Sequence, residues 1–171
     1  MKIWLLSISI MLVLSCKNEV HNPEKSIVGN YEHKNKEMDI QYAYTILYVK
    51  DVPTTLEFYK NSFGFEQKFL TPESDYGELI SGNTTIAFAN LELGNSNFKK
   101  GLTVSKPSAK PFGIELAFTT SSVETVMENA IKNGAKLLEE TVTKPWGQQV
   151  GYVRDLNGFI IEICTPIQSQ E

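Results

Sequence analysis

The stretch "YVRDLNGFIIEIC", Tyr152 to Cys164, joins a turn to a strand whose apolar run contains one acid. Asn157-Gly158 is a strong turn signal, and the isoleucine-rich residues after it predict a β-strand. Glu162 lies inside that strand. A carboxylate is costly to bury unless something pairs with it, so Glu162 indicates either a binding site or a local partner. Strand alternation places Ile160, Glu162 and Cys164 on one face and Ile161 and Ile163 on the other.

Toward the N-terminus from this stretch, the sequence of the first half of the domain predicts one strand, one helix and three further strands. "YAYTILYV" (42–49) is rich in aromatic and β-branched residues and predicts a strand. Asp51 is a good N-cap for a helix with Pro53 in its first turn, and Gly64 ends that helix. The stretches that follow, at 65–70, 76–81 and 84–90, predict short strands.

The second half repeats the same order of elements. "FGIELAF" (112–118) predicts a strand, and Ser121 with Glu124 resembles a capping box at the start of the next helix. Three more strands follow, at 135–140, 148–155 and 158–166. Tyr44 precedes Gly64 by 20 residues and Glu115 precedes Gly134 by 19, so an internal duplication is predicted. The segment 92–111 between the halves is predicted to be a loop.

These elements indicate an α+β fold of two βαβββ repeats whose curved mixed sheets form a cup. Three stretches, "YVKDVPTTLEFYKNSFGFE", "IELAFTTSSVETVMENAIKNGAKL" and "YVRDLNGFIIEI", resemble the vicinal oxygen chelate superfamily. That superfamily includes glyoxalase I, bleomycin-resistance proteins and extradiol dioxygenases. The resemblance covers about residues 41–167, and it implies the fold more strongly than the reaction.

The resemblance also implies four positions that hold a divalent metal in glyoxalase-type members. In this chain they fall on Tyr44, approximately Ala87, Glu115 and Glu162. Two carboxylates suit Mg²⁺ or Mn²⁺, and Glu78 is a less favoured third ligand. The chain has no histidine between positions 41 and 171, so any metal held by this domain alone would have oxygen ligands.

Two other interpretations of Glu162 stay open. In a metal-free cup, Glu115 and Glu162 would pair with a cation or hydroxyls on a ligand or serve as catalytic bases. Aromatic walls would then come from Tyr44, Tyr48, Trp146 and Tyr152. In the structural interpretation, Glu162 is satisfied by hydrogen bonds from Tyr44, Gln148, Gln149 or Arg154.

The N-terminal residues read as an export signal. Positions 1–15 contain a short apolar run, and "VLSC" at its end resembles the lipobox of bacterial lipoproteins, which implies lipidation of Cys16. Positions 16–40 are then a flexible tether, 41–167 the domain and 168–171 a tail. We therefore expect a cell-envelope protein, attached to the membrane through a lipid anchor.

The net charge of −4 and the absence of a basic stripe disfavour nucleic acid as a partner. The expected function is small-molecule binding, with a lyase or isomerase activity or a metal-independent sequestering resistance role as alternatives. The repeats would pair either within one chain or between the two chains of a homodimer.

Overall fold

The structure is a computed structural model that describes residues 39–167. Asp51 caps the first helix by accepting a 2.7 Å hydrogen bond from the Thr54 amide, and Gly64 ends that helix with a left-handed φ of 72°. The elements of the first repeat are β1 Thr45–Val49, α1 Val52–Phe63, β2 Glu66–Leu70, β3 Tyr76–Ser81, β4 Thr84–Asn90 and α2 Leu91–Asn97.

The second repeat has the same order without a terminal helix among its described residues. Its elements are β5 Glu115–Thr119, α3 Val123–Lys132, β6 Lys136–Thr143, β7 Gln149–Arg154 and β8 Ile160–Cys164. The fold class is therefore confirmed: two four-stranded mixed sheets, each with its own helix and without closure into a barrel.

Both sheets have the same topology, with orders β1-β4-β3-β2 and β5-β8-β7-β6. In each sheet the first strand pairs in parallel with the last, and the remaining neighbours are antiparallel. Ile46 pairs with Ala87 in the first sheet, and Ala117 pairs with Glu162 in the second. Tyr44 and Glu115 each lie eight residues before the helix of their repeat begins, so Ile46 corresponds to Ala117. Their strand partners therefore correspond as well, and Ala87 is the counterpart of Glu162.

The hydrophobic core lies on the helix side of both sheets. Tyr59 of α1, fully buried, contacts Phe88 at 4.9 Å between ring centroids and Phe118 at 6.4 Å. Within residues 39–167, α1 packs against α3 and so joins the two repeats. The extensive strand–strand contacts are between strands of the same sheet. The other face of each sheet, which we name its open face, therefore points away from the shared core.

Three details of the predicted elements are wrong. The segment predicted to be a loop begins with α2, which Asn90 caps by accepting a 2.7 Å bond from the Leu93 amide. Ser121 is not the cap of α3: the N-cap is Ser122, and it makes no side-chain capping bond. β1 and β5 are also shorter than predicted at their N-terminal ends.

None of the described helices is both long and apolar enough to cross a membrane. The predicted signal, Cys16 and nearly all of the predicted tether lie outside the described residues, as does the 168–171 tail.

Candidate functional site

Glu162 lies on the open face of the second sheet, directly across from Tyr152. The Tyr152 hydroxyl donates a 2.7 Å hydrogen bond to Glu162 Oε2. That bond, together with partial burial, raises the pKa of Tyr152 to about 12, so the phenol stays protonated and keeps donating at neutral pH. The neighbouring Ile161 and Ile163 are fully buried on the helix side, as alternation predicts.

Glu115 shares this face from the neighbouring strand. It begins β5 and pairs with Ile160, which puts it one diagonal position from Glu162. We call Glu115 and Glu162 the acid pair. The salt bridges found in residues 39–167 join Lys60 to Glu57 and Lys68 to Glu78, so the acid pair has no salt-bridge partner there. Two uncompensated carboxylates on one face attract a cation.

Cys164 follows on the same strand face as Glu162 and is a buried, free thiol. Burial and the neighbouring Glu162 raise its pKa to about 11. The thiol is therefore uncharged at neutral pH, and a thiolate nucleophile is not available here.

Glu78 occupies the open face of the first sheet, not the second. It pairs with Ala87, which makes it the counterpart of Tyr152. Lys68 Nζ lies 2.7 Å from Glu78 Oε2, and the Tyr76 hydroxyl donates to Oε1 at 2.9 Å. Burial and the Glu78 bond raise the pKa of Tyr76. Glu78 is thus already neutralised and lies on a different sheet from the acid pair of the same chain.

Tyr44 and Tyr48 also belong to the first repeat, whereas Tyr152 and Trp146 belong to the second. Tyr44 is 44% exposed. Tyr48 packs edge-on against Phe98 at 6.0 Å and lies under α2, where a Cβ added at Gly94 would be 2.6 Å from its ring. The predicted aromatic walls therefore form two separate groups within one chain.

Trp146 lies at the end of the second sheet, in the turn between β6 and β7. It borders a cleft of about 500 Å³ that does not include either residue of the acid pair. Its indole N–H donates to Gln148 Oε1 at 3.0 Å, and Gln148 Nε2 donates to the Thr165 carbonyl at 2.8 Å.

Two of the partners proposed for a purely structural Glu162, Arg154 and Gln148, are engaged elsewhere. The Arg154 guanidinium donates to the backbone carbonyls of Lys106, Ala109 and Gly158 at 2.8 to 3.3 Å. Gln148 binds Thr165. The partner that the structure gives Glu162 is Tyr152, which sequence reasoning placed among the ligand contacts. Cross-strand register is the signal that identifies it, and register requires the paired sheet.

The residues do not fit the metal site that the resemblance implies. Among residues 39–167, no group of three or more histidine, cysteine, aspartate or glutamate side chains is arranged to hold a metal. The first-repeat counterparts of the acid pair are Tyr44 and Ala87, and alanine has no donor atom. The acid pair supplies two of the four implied ligands, and an ion held by it would take its remaining ligands from water or a bound molecule.

The fold that carries Trp146 and the acid pair is similar to that of several solved structures. A glyoxalase-related enzyme from Fulvimarina pelagi is 23% identical, with a TM-score of 0.63 over 74% of this chain and 89% of its own. A glyoxalase/bleomycin resistance protein/dioxygenase family enzyme from Burkholderia phytofirmans PsJN is 17% identical, with a TM-score of 0.58 over 74% and 98%.

A third similar structure is the fosfomycin resistance protein FosX from Mesorhizobium loti. It is 13% identical, with a TM-score of 0.55 over 75% of this chain and 94% of its own. No curated protein matches the chain. The model of the glyoxalase-like domain family matches residues 42–168, which is most of the chain. The chain therefore belongs to the glyoxalase-like domain family, within the vicinal oxygen chelate superfamily.

Proposed function

We propose that this protein binds a small cationic molecule at the acid pair without a metal, in the manner of a sequestering resistance protein. The observation that supports this most strongly is that, among residues 39–167, Glu115 and Glu162 on the open face of the second sheet have no salt-bridge partner. A ligand cation would relieve the repulsion between the two carboxylates. The Tyr152 ring beside Glu162 has the Lys144 ammonium 5.9 Å from its centroid, and a ligand ammonium group would take that place over the ring.

The test is calorimetric binding of benzylamine and benzyltrimethylammonium to the full-length chain, with benzyl alcohol as the neutral control. We expect the cations to bind and the alcohol not to bind. Glu162→Gln should weaken cation binding by about tenfold or more, since a charged partner is lost. Glu128→Gln on the exposed surface of α3 removes the same charge away from the site and should leave binding unchanged. Equal binding of alcohol and amine would contradict the proposal.

The same experiment separates the metal-bound alternative. Titration of the chelator-treated protein with Mg²⁺ or Mn²⁺ should leave amine affinity unchanged, because the domain lacks a complete ligand set. A metal-dependent rise in affinity that Glu115→Gln and Glu162→Gln both abolish would favour the oxygen-ligated metal site instead.

A lyase or isomerase remains the second candidate function, and the Tyr152–Glu162 hydrogen bond favours it. A carboxylate and a protonated phenol 2.7 Å apart could move a proton on and off a bound ketone. In that case Glu162 would be the base, and proton exchange at the carbon next to the ketone would be detected by NMR in deuterated water. Loss of exchange in Glu162→Gln with retained ligand affinity would identify the enzyme.

We also propose that a second copy of the chain completes the site. Glu78 lies on the open face of the first sheet and Tyr44 immediately precedes β1, whereas the acid pair lies on the second sheet of the same chain. β1 and β5 are free sheet edges, and pairing β1 of one copy with β5 of another would bring the two kinds of open face together. Exposed Ile46 and Ile114 flank these edges with apolar surface.

Mixing two inactive variants tests this arrangement. Refolding Glu162→Gln together with Tyr44→Ala should restore one intact site per mixed dimer, whereas neither variant alone should bind with full affinity. A monomeric protein by light scattering, with undiminished amine binding, would refute the composite site.

For location, we propose a lipid anchor at Cys16, supported by the "VLSC" sequence after the apolar run. Radiolabelled palmitate should be incorporated into the wild type and not into Cys16→Ser. Equal labelling of both proteins would refute the anchor.

A further inference from the structure

The cleft beside Trp146 is separate from the acid pair. It lies where β7, β8 and the start of α3 come together, and its volume is about 500 Å³. That volume is in the usual range for a small-molecule site. The residues around it are Ser121, Thr143, Trp146, Gly147, Gln148, Gln149, Thr165 and Pro166.

The turn that carries Trp146 is held in place by several hydrogen bonds. Backbone bonds of 2.8 Å join the Lys144 amide to the Gln148 carbonyl and the Gly147 amide to the Lys144 carbonyl. Gln148 then connects the indole N–H to the Thr165 backbone. The indole is 63% exposed in spite of these bonds. The protein thus holds a large apolar ring at its surface in a fixed position, which reduces the entropy lost when a ligand stacks on it.

The chemistry of the cleft matches a neutral polyhydroxylated ring. Among residues 39–167, those around the cleft are all uncharged. Its polar groups are hydroxyls and side-chain amides, which both donate and accept hydrogen bonds. A sugar ring has an apolar C–H face and a rim of hydroxyl groups, so it can stack on an indole while its rim bonds to amides and hydroxyls.

We infer that the Trp146 cleft is a second ligand site, which binds a neutral sugar ring such as one unit of an oligosaccharide. This goes beyond the proposed function, because the acid pair and Tyr152 are not part of the cleft. Lys144, the nearest cation in the sequence, lies 5.9 Å from the Tyr152 ring centroid and so is directed toward the open face instead.

Tryptophan fluorescence tests the inference, since Trp4 and Trp146 are the only tryptophans of the chain. The full-length Trp4→Phe variant, held in a detergent without a sugar head group, leaves Trp146 as the single reporter. Titration with chitotriose, cellotriose and maltotriose should produce a saturable change in emission with at least one of them. No saturable change with any of the three at millimolar concentration would overturn the inference.

Calorimetry with the trisaccharide that binds then tests the residues. Trp146→Ala should weaken sugar binding by about tenfold or more, because the stacking surface is lost. Gln148→Ala should weaken it by a smaller factor, since the indole remains but is no longer fixed. Unchanged affinity in Trp146→Ala would place the sugar elsewhere and overturn the inference.

Two crossed controls separate this site from the proposed function. Glu162→Gln should bind the sugar with unchanged affinity, and Trp146→Ala should bind benzylamine with unchanged affinity. A loss of sugar affinity in Glu162→Gln would mean that the two ligands share one site and would refute a separate sugar site. Failure of amine binding alone, with sugar binding intact, would refute only the proposed function.

Discussion

The two open faces share a backbone plan and differ in how their carboxylates are neutralised. On the first sheet, Glu78 is buried and has both Lys68 and a tyrosine hydroxyl as partners. On the second, within residues 39–167, Glu162 has a tyrosine hydroxyl but no salt-bridge partner, and Glu115 adds a second negative charge beside it. The carboxylate of the first sheet is neutralised by a lysine of the same sheet, whereas the two carboxylates of the second sheet would be neutralised by a positive group on a ligand. Charge balance, and not strand geometry, is what makes one repeat a candidate site.

The largest difference in stability between the repeats is expected when the glycine in the turn between their last two strands is replaced. Gly158 has a φ of +93°, and a Cβ added there would lie 2.5 Å from the Lys106 backbone. Gly82, in the corresponding turn, has a φ of +57° with open space around it. Gly158→Ala should therefore cost about 3 kcal/mol or more, and Gly82→Ala only about 1 kcal/mol. Urea denaturation of both variants measures the two costs, and equal values would show that the contact with Lys106 is not rigid.

A buried hydrogen bond between the repeats should have the next largest effect on stability. The Tyr59 hydroxyl donates to Asp155 Oδ2 at 3.1 Å inside the shared core. Tyr59→Phe removes that donor and should lower the free energy of unfolding by about 1–3 kcal/mol. Tyr76→Phe removes the donor to Glu78 at a partly buried position and is the matched control, with a smaller expected loss. A greater loss in the control would place the more important bond within the first sheet.

The pH dependence of stability separates Asp155 from the exposed acids. Burial raises the pKa of Asp155 above its ordinary value of 3.8. The folded state therefore binds this proton more tightly than the unfolded state. The resulting stability is fully present below pH 3.8 and is lost as pH rises through the raised pKa.

The Asp155→Asn variant has no titratable side chain at this position, so it serves as the reference. The free energy of unfolding of the wild type, minus that of Asp155→Asn, should fall as pH rises from below 3.8 toward neutral. Urea melts of both proteins across this range measure the difference. A difference that is constant with pH, or that rises, would contradict the assignment to burial.

The two carboxylates themselves should show the smallest effects on stability, and of opposite sign. Glu78→Gln breaks a salt bridge whose lysine is 49% exposed, so the loss should be no more than about 1 kcal/mol. Glu162→Gln keeps an acceptor for Tyr152 and removes repulsion with Glu115, so stability should stay equal or rise slightly. Thermal melts without ligand compare the two, and a clear loss in Glu162→Gln would make that residue part of the scaffold.

Much of the fold follows from local sequence. Apolar periodicity and the caps at Asp51 and Gly64 define α1, and the duplicated order of elements predicts the second sheet from the first. Helix α2 was missed because its seven residues include a glycine, two asparagines and a serine, which are weak helix formers. Its only local signals are the N-cap Asn90 and an acid in the first turn, and packing over Tyr48 supplies the rest.

The sequence by itself determined which residues alternate, where the turns fall and that Glu162 shares a strand face with Cys164, since these depend on neighbours along the chain. Only the tertiary structure decided that Tyr152 is the partner of Glu162, that Lys68 neutralises Glu78 and that Trp146 lies outside the acid pair's face. Those facts depend on strand register and on the direction of each open face. Both are fixed by hydrogen bonds and packing between segments far apart in sequence, which no local pattern encodes.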